Sequence, residues 1–271
     1  MKTPTYAKKD KYIDRGLETF NQKSTLFKEL QLAKNKKLKL LEIGCGKGIL
    51  LCQLRNKFKK NLELHGLNYD STHGVKKRED FIRNAELKGI KLNKKNLPQI
   101  HFRNATRLPF KDNTFDVIIS QVTFLHIKNK AKAIEEVYRV LKKDGLALIS
   151  LSAYSIRIGS DEKVPTFYQK LDKVLKDEYN PRVLIRYQGK FISLTEFIAK
   201  LSKTYNISLW THRFTSETQK ANGFWLIIRK NNNPKLKLGL KYQKSESELM
   251  TKKYGKSNPV NFGVIDVYEL T

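Results

Sequence analysis

The residues best suited to chemistry stand close together early in the chain. Glu42 is followed by Gly44, Gly46 and Gly48, with Cys45 between the first two glycines, and the apolar run from Lys37 to Ile43 leads straight into them. An apolar stretch that ends in a β-branched residue, meets close-set glycines and then turns to a helical pattern reads as a buried strand, a tight turn and a helix start. Glycine removes the Cβ atoms that would hold a ligand off the backbone. The N–H groups at the helix start can then face a carboxylate or a phosphate. Such a trio opens nucleotide-binding folds of several chemistries, and also many turns that hold no ligand. Asn68 closes a second apolar stretch, at roughly the 20-residue interval where a polar residue commonly reaches a ribose. Cys45 and Cys52 have neither the number nor the spacing of a disulfide framework or a zinc site, so no metal is expected and a reducing cytosol is the natural setting.

These residues must be positioned by strands and helices in alternation. After the glycine turn, Ile49, Leu50, Leu51, Leu54 and Phe58 mark one face of a helix. Strands follow at Leu62 to Leu67, Gln99 to Arg103, Phe115 to Ser120 and Leu146 to Leu151, with helical patterns over Ser71 to Leu87 and Ala131 to Leu141. Ile207 to His212 and Gly223 to Arg229 complete the set. Short connections between alternating elements predict an α/β fold with a doubly wound, mostly parallel seven-stranded sheet, Rossmann-like, with a helical cap and a C-terminal extension. Residues 1–36 are expected as an N-terminal helical lid across the strand ends. Residues 37–230 form the ligand-binding domain, with a substrate cap inserted at about 152–206 and helices over Pro165 to Tyr179 and Leu194 to Tyr205. Ser193, with Glu196 three residues on, has the spacing of a capping box. Residues 231–271 are a basic extension in which Lys235 to Tyr242 and Phe262 to Leu270 alternate like strands.

Charge and hydropathy bound the partners. Fifty-four basic against 26 acidic side chains in 271 residues give a formal charge of +28, which favours anionic metabolites or polyanions. No apolar run approaches the roughly 20 residues that cross a bilayer, and the polar start does not resemble a signal peptide, so a soluble, cytoplasmic protein is expected.

Three ordered segments carry a family resemblance. Leu41-Glu42-Ile43-Gly44-Cys45-Gly46-Lys47-Gly48 resembles the first motif of class I S-adenosylmethionine-dependent methyltransferases, of the methyltransferase-11-like, small-molecule group. Asn104-Ala105-Thr106-Arg107-Leu108-Pro109-Phe110 followed by Phe115-Asp116-Val117-Ile118, and then Glu136 to Gly145, are similar to later segments of the same group. The resemblance implies S-adenosylmethionine as cofactor and S-adenosylhomocysteine as product. It implies that Glu42 with the backbone of Gly44, Cys45 and Gly46 holds the methionine part, Asn68 the ribose hydroxyls, Tyr69 an adenine face, and Asn104 with Ala105 the adenine edge. Gln121 and Val122 would line the sulfonium side. An acid is common where Asn68 and Asn104 stand; Asp70 would replace Asn68 if the turn is offset by two residues.

Methyl transfer is an in-line displacement, so the protein's tasks are alignment and a deprotonated acceptor. His126, just past the fourth strand, is the base candidate by placement, followed by Tyr154 and His212. Tyr12 would close over the ligand. Arg157, Arg182, Arg186 and Tyr187 would grip an anionic acceptor through charge-assisted hydrogen bonds. The leading expectation is therefore transfer to a small or medium acceptor bearing phosphate or another negative group. An RNA methyltransferase and a non-catalytic S-adenosylmethionine-binding partner subunit are the alternatives, and nucleic acid stays open as a partner.

Overall fold

The computed structural model describes residues 15–31, 36–72, 74–151, 183–216, 219–250 and 260–271. Seven strands form one sheet: β1 (Leu38–Ile43), β2 (Leu62–Asn68), β3 (Gln99–Phe102), β4 (Phe115–Ser120), β5 (Leu141–Ser150), β8 (Ile207–Ser216) and β9 (Gln219–Arg229). Their order is β3-β2-β1-β4-β5-β9-β8. Every pair from β3 to β5 is parallel, while β9 runs antiparallel to both neighbours. The seven-stranded, mostly parallel α/β sheet is thus as the sequence predicts. The order reverses between β1 and β2 on one side and β4 on the other, which sets the crevice for a ligand at the tips of β1, β2 and β4.

Side chains alternate between the two faces of this sheet. Leu40, Val117, Ile119, Leu146, Leu148 and Trp225 face α2 (Ile49–Phe58) and α3 (Asp80–Glu86). Leu41, Ile43, Ile118, Ala147 and Ile149 face α4 (Lys130–Val140). The helix α1 (Lys23–Gln31) also lies on the first face: Leu26 and Leu30 bury there, Phe20 meets Trp225 edge-on at 5.2 Å, and Glu29 pairs with Arg229 at 2.6 Å. Of the described part of the predicted lid, then, the helix covers a sheet face and the turn before it reaches the strand tips.

Three local readings are corrected. The expected helix from Ser71 shortens to α3, because Gly74 (φ +77°) turns the chain back and Asp80 accepts the N–H groups of Lys76 and Lys77 at 2.9 and 3.2 Å, fixing the start. The alternation at Lys235 to Tyr242 is not a strand before Leu240. Leu236 and Leu238 instead seat in the core, and Lys237 N–H donates to Tyr205 Oη at 3.1 Å.

The cap insertion and the extension are also not separate: β6 (Val183–Tyr187), β7 (Lys190–Ile192), β10 (Leu240–Met250) and β11 (Val260–Leu270) form one four-stranded sheet, ordered β10-β11-β6-β7. Its β11 and β6 run parallel. Between the two sheets sits α5 (Leu194–Leu201), whose start is capped by Ser193 Oγ accepting Glu196 N–H at 3.0 Å, as the capping spacing predicts. The expected helix over Pro165 to Tyr179 lies outside the described residues.

The second sheet is bolted to α4 through a buried ion pair. Lys130 Nζ donates to the carbonyls of Ile127 and Val264 at 2.9 Å and lies 3.4 Å from Asp266 Oδ2, both side chains being fully buried. Asp266 also accepts Lys130 N–H at 2.6 Å, and Tyr268 Oη accepts Ala131 N–H at 2.9 Å. Two first-turn donors of α4 are thereby satisfied by the last strand. No described helix is long and apolar enough to cross a membrane.

Candidate functional site

The turn after β1 is closed by β2. Gly44 N–H and Cys45 N–H both donate to Leu67 O, at 2.6 and 3.2 Å. Gly46 N–H donates to Asn68 Oδ1 at 2.9 Å, and Asn68 Nδ2 returns to Gly46 O at 3.2 Å. The N–H groups expected to face a ligand at 44–46 are therefore used within the fold. Asn68, expected at the ribose, is 7% exposed and spends both ends of its amide on Gly46. The amide's pair of a donor and an acceptor is what this clamp needs, and a carboxylate could not supply it.

The glycines also serve the protein more than a ligand. A Cβ on Gly44, at φ +72°, would overlap the side chain of Thr123, whose Oγ1 donates to Gly44 O at 3.2 Å; a Cβ on Gly48 would overlap Phe81. Only at Gly46 is the space beside Cα open. Gly74 packs directly on Gly46, and Val75 N–H donates to Gly46 O at 2.8 Å. The loop after β2 thus folds back over the crook of the turn.

The tip of β4 is tied to the same place. Ser120 Oγ donates to Ile43 O at 3.0 Å, Thr123 is wedged under Gly44, and Val122 between them sits at φ +66°. A β-branched residue in the left-handed region is strained, and strain of this kind gathers at functional sites. Gln121 Nε2 donates to Thr19 O at 2.7 Å and Thr19 Oγ1 at 3.1 Å, which brings in the turn ahead of α1. Thr19 and Thr123 were not singled out from sequence, since each is recognised only through a partner 79 to 102 residues distant.

Two atoms here are left without a partner in the fold. Glu42 Oε2 and Gln121 Oε1 are buried and accept no hydrogen bond. In the β1–β4 register Glu42 stands opposite Ile119, and Gln121 follows directly after the end of β4 at Ser120. Burial pushes the Glu42 carboxyl well above the usual carboxylate range, and its charge in turn helps burial raise the thiols of Cys45 and Cys52. Two buried acceptors with no donor suit a ligand that brings hydrogen-bond donors, above all an ammonium group.

Around this centre, Tyr69 is 73% exposed at the tip of β2, and Asp70 accepts from Thr72 N–H at 2.9 Å and from its hydroxyl. Asn104 is exposed, with its Oδ1 accepting from Thr106 N–H and Oγ1 at 3.0 Å, and Ala105 beside it is buried. His126 ends the short helical turn Thr123–His126 and is exposed. Glu42, Gly44, Cys45, Gly46, Asn68, Tyr69, Gln121 and Val122 therefore do gather at adjoining strand tips.

Arg186 and Tyr187 do not. Arg186 lies over the Phe191 ring and Lys200 over the Tyr187 ring, both at 5.0 Å, and Lys200 stands in the last turn of α5, which feeds the starting end of β8. Tyr12, Tyr154, Arg157 and Arg182 lie outside the described residues, and of His212 only its place in β8 is described. Among the described residues no His, Cys, Asp and Glu cluster could hold a metal ion.

Residues 41–149 match the family model described as a methyltransferase domain. An uncharacterized protein of Haemophilus influenzae is 29% identical over 157 residues, covering 56% of each chain. A demethylmenaquinone methyltransferase of Lactiplantibacillus plantarum is 28% identical over 148 residues, covering 55% of this chain and 57% of that one. The chain thus spans about half the length of these curated relatives. Among solved structures, an S-adenosylmethionine-dependent methyltransferase of Methanosarcina mazei aligns over 74% of this chain and 96% of that one, with 19% identity and a TM-score of 0.45.

Proposed function

We propose that this chain, whose residues 41–149 match the methyltransferase-domain model, is an S-adenosylmethionine-dependent methyltransferase acting on a small or medium acceptor that bears phosphate or another negative group. The observation that carries the reading is the pair of unpartnered buried acceptors, Glu42 Oε2 and Gln121 Oε1, at neighbouring strand tips. A buried carboxylate stays neutral or awaits a cation, and the α-ammonium of the cofactor supplies both the charge and the donors. When bound, S-adenosylmethionine supplies a methyl carbon activated by a positive sulfonium.

The chain's own residues then have separable tasks. Glu42 and Gln121 orient the amino-acid end. Tyr69 offers its exposed ring to adenine, with Ala105 and the Asn104 amide at the adenine edge. Asp70, rather than Asn68, meets the ribose, because the Asn68 amide is already spent on Gly46. Val122, held by its two anchored neighbours, fixes the wall beside which the acceptor must line up. His126, exposed on the same turn, takes the proton where the acceptor is a hydroxyl. The excess of 28 positive charges supports the anionic character of the acceptor.

Calorimetry with S-adenosylmethionine and S-adenosylhomocysteine, followed by labelled methyl transfer into extract fractions separated by anion exchange, tests the proposal. Heat with both nucleosides and label in a small anionic fraction is expected. No heat with either would end the reading. Heat with label only in RNA would move it to a nucleic-acid acceptor, and heat without transfer to any fraction would leave a binding subunit.

A further inference from the structure

A second recess lies at the opposite end of the sheet from the glycine turn. It has a volume of about 370 Å³ and is lined by Arg55, Asn56, Lys59, Lys60, Lys91, Leu92, Asn93 and Asn96. Its position follows from the elements. The helix α2 leaves the turn at Ile49 and spans about 15 Å at 1.5 Å per residue, ending beside Lys59 and Lys60. Lys91 to Asn96 precede β3, and so also stand where the strands begin.

The lining is one-sided in charge: four cations, three amides, one leucine and no carboxylate. Surface lysines alone would mean little, since the chain carries many. Arg55 is different. It is buried, its Nη1 donates to Lys59 O and, at 2.7 Å, to Leu62 O, yet its Nε is enclosed without a hydrogen-bond partner. Carboxylates elsewhere on the surface pair with nearby lysines, as Glu63 does with Lys37 and Lys39 and Asp116 with Lys36 and Lys142. Here a buried guanidinium and three lysines converge with no carboxylate among the lining residues, and the amides of Asn56, Asn93 and Asn96 add donors that fit a tetrahedral oxyanion.

We infer that this recess is a phosphate-binding site, separate from the methyl-transfer centre, which holds either a free phosphoanion or a phosphate of a nucleic-acid backbone. Both sources present the same oxygens to Arg55 and the lysines. They differ in how binding responds to salt, because a backbone contact releases condensed counterions along the strand.

The test uses the full chain and two probes, inorganic pyrophosphate and a single-stranded RNA oligomer, measured by calorimetry across a salt series. The variant is Lys60→Ala with Lys91→Ala, both exposed, so the fold is kept. A control of equal charge change is Lys235→Ala with Lys237→Ala, exposed elsewhere. A tenfold or greater loss of pyrophosphate affinity in the first variant, with the control within twofold of wild type, supports the site. If RNA is the source, the first variant also flattens the logarithmic salt slope by about 1.4, at roughly 0.7 per phosphate contact, and the control does not. Equal losses in both variants, or no measurable binding of either probe to wild type, would overturn the inference. S-adenosylhomocysteine binding is measured in parallel and is expected to be unchanged, so failure here is distinguishable from failure of the methyltransferase reading.

Discussion

Replacing Asn68 by aspartate sets two accounts of this position against each other. If residue 68 grips a ribose, a carboxylate should tighten cofactor binding through a charge-assisted, two-hydroxyl contact. In the structure the side chain instead receives Gly46 N–H at 2.9 Å and gives Nδ2–H to Gly46 O at 3.2 Å, in a place 7% exposed. Aspartate keeps the first bond and strengthens it. It turns the second into two oxygens facing each other.

Losing the donor costs about 1 kcal/mol, and an uncompensated acceptor in a buried setting adds about 1–3 kcal/mol, against which the stronger Gly46 N–H bond returns about 1 kcal/mol. The net expectation is a loss of about 1–3 kcal/mol in unfolding free energy, read from urea denaturation at pH 7, with S-adenosylhomocysteine affinity reduced about threefold or more because the turn loosens. An N68D protein of unchanged denaturation midpoint that binds the nucleoside more tightly would refute the clamp and return position 68 to the ribose. Asp70→Asn is the complementary variant, expected to weaken nucleoside binding with little change in stability.

Other consequences are open to the same assays. Glu42→Gln removes a buried carboxyl whose ionisation the fold disfavours, so the ligand-free protein should gain stability at pH 7 while S-adenosylmethionine affinity falls about 10-fold to 100-fold, the worth of a charge-assisted bond; parallel losses in both would contradict this. Lys130→Met leaves Asp266 buried without its cation and should destabilise by about 3–5 kcal/mol, and adding Asp266→Asn should recover part of the loss in a double-mutant cycle. His65 and His101, with Nδ1 and Nε2 3.1 Å apart, are both held below the usual imidazole range by burial. The folded chain therefore binds fewer protons than the unfolded one near and below about pH 6.5, and the urea midpoint should fall as pH drops through that value. His101→Phe should flatten that dependence, and an unchanged pH profile would exclude the pair as its source.

Much of this was legible in the sequence because strand and helix periods are local. The runs at Leu38, Leu62, Phe115 and Ile207 announce strands whatever they pair with, and the three ordered motifs fall within the stretch, residues 41–149, that matches the methyltransferase-domain model. What was not legible depends on distance or direction. Asn68 has the right spacing for a ribose, but nothing local tells whether its amide faces outward or back to Gly46. Val183-Leu184-Ile185 is too short to announce a strand, and its parallel partner, Asp266 to Tyr268, lies some eighty residues on. Arg186 and Tyr187 were read as cap residues from composition, whereas their strand direction carries them toward Phe191 and Lys200.

The bolt between Lys130 and Asp266 also has a temporal side. The two residues are 136 positions apart, so a chain still emerging from the ribosome can possess every strand of the first sheet while the counterion for Lys130 has not yet been made. During that interval the lysine lacks its counterion and two first-turn N–H groups of α4 lack their partners, so these groups stay hydrated. Arrival of β11 supplies the carboxylate and the tyrosine hydroxyl together, so that the docking of the second sheet and the capping of α4 become the same event.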